Sequence, residues 1–142
     1  MLLEDQDFPI VRLHYDRSGP NGLTEGFAAF EAQLARGEAF VLIGRGANEQ
    51  AQDHEKRKQV ALWMKRHREP LRQHVLALVY VEPQAANRFV ARSGADTYAK
   101  FWGYPMFVTA CDEDALAVAR RLLAGEPAEA IDVPEPHDPE AA

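Results

Sequence analysis

Two short, unbroken apolar runs, AFVLI at 39–43 and LALVYV at 76–81, flank the longest helical pattern of the chain, DHEKRKQVALWMKRHREPLRQHV at 53–75. Each run is bounded by turn-forming residues, Gly37 and Gly44 for the first and Glu82-Pro83 after the second. That is the form of a strand buried on both faces. Between them Val60, Trp63, Met64, His67, Leu71 and His74 recur every three or four residues, placing an apolar and aromatic stripe on one helix face. Lys56, Arg57, Lys58, Lys65, Arg66, Arg68 and Arg72 occupy much of the remainder. A buried strand, a helix and a second buried strand predict a crossover between parallel neighbours. The first run should be central in the sheet, and Pro70 should kink or restart the helix.

The flanking sequence extends the same alternation. Residues 8–16 (FPIVRLHYD) read as a strand ending in turn chemistry, and 24–36 as a helix stopped by Gly37. Residues 84–91 form a short helical pattern with Phe89 and Val90 as apolar anchors, while 92–102 fit neither helix nor loop decisively. A strand is predicted over 104–111, at an edge or beginning near Pro105. The last helix covers 113–123, with Asp112 as cap, acids in its first turn and Arg120 and Arg121 in its last. The order βαβαβαβα predicts a single α/β domain over 1–125, built on about four mostly parallel strands.

Charge is unevenly distributed. The net charge of −6 comes from Glu126, Glu129, Asp132, Glu135, Asp138 and Glu140, leaving 16 acids against 16 bases in the rest of the 142 residues. Four prolines interrupt the same C-terminal stretch, so 126–142 read as a disordered acidic tail. A single cysteine, Cys111, needs no oxidising compartment and is expected to be buried and structural. The opening MLLEDQDF has no positive region, and no run approaches the roughly 18 apolar residues of a membrane span. A cytoplasmic setting without an integral membrane segment is the expectation.

Little catalytic chemistry stands out. Gly44-Arg45-Gly46 follows a buried strand, where open α/β sheets bind ligands, but Glu49 stands where a dinucleotide fingerprint has glycine, and no P-loop lysine follows. His67 and His74 lie two turns apart, too far to share one metal ion, so no metal or cofactor is expected. Acids at Asp53, Glu55 and Glu69 dilute the basic helix, and no nucleic-acid motif accompanies it. Trp63, Trp102 and Phe107, if packed together, would form an apolar groove or dimer surface.

AFVLIGRG followed by a long helix, then LALVYVEP, then YPMFVTACDEDALAVARRLL, resembles the STAS-like group of small α/β domains, including its SEC14-like branch. The resemblance spans about 8–124 and lies in element order and hydrophobic character. It implies a STAS-like fold and a non-enzymatic module binding a protein partner or a small apolar ligand. Antagonists of that family carry a phosphorylatable Ser or Thr in the loop after the central strand; loop 44–52 here has neither. The expected contacts are Arg45 and Asn48 for polar groups and Trp63, Trp102 and Phe107 for packing, with a homodimer compatible. The competing expectation is a small enzyme or accessory protein of a biosynthetic pathway, using His54, Arg45 or Cys111 on a small anionic substrate at the strand ends.

Overall fold

The computed structural model describes residues 1–17, 22–47, 53–133 and 135. They form a single α/β domain on a five-stranded mixed sheet in the order β1-β2-β3-β4-β5, with β1 (Leu2–Glu4), β2 (Ile10–His14), β3 (Phe40–Arg45), β4 (Val75–Val81) and β5 (Met106–Thr109). β2 to β5 are parallel, and β1 pairs antiparallel with β2. The helices are α1 (Gly22–Leu34), α2 (His54–Arg66), α3 (Arg68–His74), α4 (Ala85–Ser93), α5 (Ala95–Trp102) and α6 (Asp112–Leu123).

The crossover predicted between the two apolar runs is present: β3 is the middle strand and pairs in parallel with β4. Every residue of β3 from Phe40 to Gly44 is buried, which explains why its sequence does not alternate. β5 is an edge strand beginning just after Pro105, which therefore withholds no ladder hydrogen bond. The fifth strand, β1, is a correction to the expected four: three residues are too short to show a period. The long helix breaks at His67, three residues before Pro70. By ending α2 there, the chain places Pro70 in the first turn of α3, where its missing N–H costs least. Asp53 caps α2, its carboxylate accepting from the Glu55 and Lys56 amides at 2.9 and 3.2 Å. Residues 92–102 resolve into the end of α4 and all of α5, with Gly103 in the left-handed conformation that closes α5.

Side chains alternate across the sheet. On the front, Val11, Leu13, Phe40, Leu42 and Leu78 meet Phe30, Leu34, Trp63, Met64 and Leu71 from α1, α2 and α3, with Tyr98 and Trp102 of α5 packed against them. On the back, Val41, Ile43, Ala77, Val79 and Val81 meet Ala115, Val118, Ala119 and Leu122 of α6. Phe89 and Val90 do not anchor α4; they are 73% and 67% exposed, and the residue α4 buries is Arg88.

The expected disordered tail is corrected in its first part. Ala128–Ala130 form a 3-10 turn, and Ile131, with Ala128 and Val133, joins the back-face cluster. Apolar positions spaced among the acids cover sheet surface that α6 leaves open, a benefit that composition averaged over 126–142 conceals. Glu135 then accepts a hydrogen bond from Arg88 Nε, and the guanidinium groups of Arg88 and Arg92 pair with its carboxylate. Residues 134 and 136–142 lie outside the described residues. Ile131→Ala should therefore lower the unfolding free energy by about 2–4 kcal/mol, the usual cost of truncating a buried aliphatic chain. Urea denaturation measures this, and a loss near zero would mean the segment does not pack.

Candidate functional site

Parallel strands present their carboxyl ends together, and the ends of β3, β4 and β5 open into a front-face cavity of about 430 Å³. Its floor comes from β4 and β5: Leu78, Tyr80 and Glu82 succeed one another at the two-residue spacing that keeps them on one face, with Met106 beside them. Gly46 and Ala47 after β3 form one wall, Asn87, Val90 and Ala91 of α4 another, and Tyr15 and Tyr98 close the inner end. The volume falls within the roughly 300–1,000 Å³ of small-molecule sites. A larger depression of about 850 Å³, bordered by Arg72, Leu76, Pro105 and Gly125, lies at the opposite, amino ends of the strands, away from where such sheets bind ligands.

Two glycines shape the cavity. A Cβ on Gly44 would stand 2.9 Å from the Tyr15 ring and 3.1 Å from Leu78, so only glycine lets Tyr15 fold over β3. Gly46 has φ +88° and sits against the Asp16 carboxylate. The Tyr80 hydroxyl donates to the Gly46 carbonyl at 2.8 Å, tying this turn to β4.

The inner end is a cluster of phenols. The hydroxyls of Tyr98 and Tyr104 lie 3.1 Å apart, and Tyr15 also interacts with Tyr98. Burial raises the pKa of all three, so they remain neutral donors through the physiological range. Tyr80 is raised too, first by burial and then by the negative charges of Glu82 and Asp16. Behind Tyr15 and Tyr98 lies a small apolar void of about 50 Å³ bordered by Phe27, Trp63 and Trp102. The cavity is thus aromatic inside and carboxylate-flanked at its mouth.

The residues expected to form the site are dispersed. Trp63 and Trp102 do come together, ring centroids 6.5 Å apart, but in the core beneath the cavity: Trp63 stacks on Phe27 at 5.0 Å and its indole N–H donates to Glu31 at 2.9 Å. Phe107 does not join them; it follows Met106 on β5, so it points to the back and packs with the α6 cluster. Arg45 also points back, donating to Asp112 at 3.2 Å. Asn48 lies outside the described residues. Asp112 is not the cap of α6, a position held by Cys111; its carboxylate is gripped by two nitrogens of Arg12 as well as by Arg45. Cys111 is exposed rather than buried, because β5 ends two residues earlier and the chain is turning into α6. Neither Arg45, Cys111 nor the exposed His54 borders the cavity. Among the described residues no group of three or more His, Cys, Asp or Glu is arranged to hold a metal, and no helix is long and apolar enough to cross a membrane.

Sequence reasoning misses Tyr15, Tyr80, Glu82 and Tyr98. For Tyr80 and Glu82 the signal is their alternation with Leu78 at the end of a buried strand; for Tyr98 there is none, because its place depends on 95–102 being helical. The chain matches no family model, no curated protein and no solved structure.

The back-face ion cluster gives a pH prediction. The hydrogen bond from Arg12, then the charges of Arg12 and Arg45, lower the Asp112 pKa from its ordinary 3.8 against an opposing desolvation. A carboxyl depressed by folding stabilises fully above its unfolded pKa, and that contribution disappears as pH falls through the lower folded value. Melting temperatures of the wild type and Asp112→Asn should therefore differ most at pH 5–7, and the gap should close below about pH 4. A gap independent of pH would show that the ion pair contributes nothing through ionisation.

Proposed function

We propose that this protein is a non-enzymatic, cytoplasmic binding module whose ligand is a small, largely apolar molecule seated in the cavity at the ends of β3, β4 and β5. The observation that carries this reading is the cavity itself: a space of ligand size, walled by Tyr15, Leu78, Tyr80, Tyr98 and Met106, where parallel sheets bind their ligands. The STAS-like and SEC14-like resemblance belongs to the same proposal, since it also implies a binding role. Dispersal of His54, Arg45 and Cys111 weighs against the small-enzyme alternative. An anionic substrate is further disfavoured because Glu82 borders the cavity and no Lys, Arg or His among the described residues does.

A protein partner or a second copy of the chain is favoured by a separate observation, the exposure of Phe89 and Val90 on α4. Val90 borders the cavity as well, so a partner on α4 would sense its occupancy.

Ligand-observed NMR with a library of aromatic fragments tests the primary reading. Fragments that bind the wild type should weaken roughly tenfold or more in Ala91→Trp, which fills the cavity from α4. Hits unaffected by this substitution would place the binding elsewhere and overturn the assignment.

A further inference from the structure

From the charge and aromatic lining of the cavity we infer that its ligand is an organic ammonium ion, a cationic amine carried on an aromatic or aliphatic body. This rests on the reading of the cavity as a ligand seat and adds the ligand's charge.

Three observations converge on it. First, Glu82 stands at the cavity mouth with one carboxylate oxygen uncommitted: Oε1 accepts from the Gln84 amide at 3.1 Å and from Asn87 at 3.4 Å, while Oε2 has no hydrogen bond among the described residues. Second, Asp16 lies beside the mouth against Gly46, close enough for its charge, with that of Glu82, to act on the Tyr80 hydroxyl. Neither acid forms an ion pair among the described residues, whereas Asp112, Glu126 and Glu135 all pair with arginines. Third, Tyr15, Tyr80 and Tyr98 line the same space, with the rings of Tyr15 and Tyr80 6.3 Å apart and tilted by 40°. Phenol rings attract cations through their negative faces, and a carboxylate beside them supplies the counter-charge. A carboxylate or phosphate ligand would meet two acids and no base. A neutral ligand could at most donate a hydrogen bond to Glu82 and would leave its charge uncompensated.

Three probes of nearly the same shape separate charge from apolar fit: 2-phenylethylamine, 2-phenylethanol and phenylacetate, titrated into the full chain by NMR. The amine should bind roughly tenfold more tightly than the alcohol, and phenylacetate more weakly than either. Raising the salt from about 0.05 to 0.5 M should weaken the amine and leave the alcohol unchanged. In Glu82→Gln the amine's advantage over the alcohol should fall severalfold, and in Asp16→Asn, at an exposed position, by a smaller factor. Alcohol and amine binding equally, or both variants retaining the full preference, would overturn the charge assignment while leaving the ligand seat intact. Failure of all three probes to bind would overturn the seat and this inference together.

Discussion

Everything in this fold depends on four parallel strands lying side by side in their sequence order. A right-handed crossover between adjacent parallel strands places its helix on a given face, and sequential order repeats that face at every connection. α1, α2, α3 and α5 accordingly share the front with the Trp63 core. The back face, apolar along β3 and β4, receives no crossover and must be covered by the chain beyond β5. One helix, α6, spans β3 and β4, and the segment around Ile131 covers the remainder. A stretch whose composition suggests a solvated tail is therefore held to the sheet by geometry, because removing it would expose apolar surface of the back-face cluster to water.

The same constraint explains where the cavity is. Three crossovers crowd onto one face, and the connection from β4 to β5 is split into two short helices. α5 packs inward through Tyr98 and Trp102, whereas α4 is fastened by polar contacts: Arg88, 4% exposed, donates to the Glu82 and Pro83 carbonyls at 3.0 and 2.7 Å and to Glu135 at 2.8 Å. A helix anchored by apolar side chains collapses onto its sheet and fills the space between. α4, pinned at one end by a guanidinium, leaves that space open and keeps Phe89 and Val90 in solvent. The anchor also couples the two faces, since Glu135 lies just past the back-face segment while Arg88 belongs to a helix that borders the cavity.

How far the sequence can be read is set by the range of the forces involved. Buried strands, the basic helix and α6 are local signals, and the chain displays them plainly: AFVLI and LALVYV need no tertiary information to be recognised. β1 is hidden because three residues carry no period, and the exposure of Phe89 because an apolar residue at helical spacing is ordinarily buried. The site is less legible than the fold. Trp63 and Trp102 draw attention as large aromatics but are spent on the core, where Trp63 contacts Phe27, Phe30 and His67 at 5.0, 5.2 and 4.4 Å. Phe107 can be separated from them by alternation alone, since Met106 precedes it on the same strand. Tyr15 and Tyr98 are 83 positions apart, and only the folded sheet brings their hydroxyls together.

The distribution of charge separates structural from available ions. On the back face Arg12 and Arg45 converge on Asp112, and His14 Nε2 lies 3.1 Å from the Glu4 carboxylate, out of line for a hydrogen bond. On α2 the lysines and arginines project from an exposed face opposite Trp63 and Met64, where screening limits what they can attract. Arg45, in the conspicuous Gly-Arg-Gly turn, therefore serves α6 and not the cavity. At the cavity, by contrast, the charge without an ion pair among the described residues is negative: Glu82 borders the tyrosine-lined space and Asp16 lies beside it. Low-dielectric walls focus the field of such charges along the opening, so Glu82 and Asp16 act there more strongly than the same acids would on a flat surface.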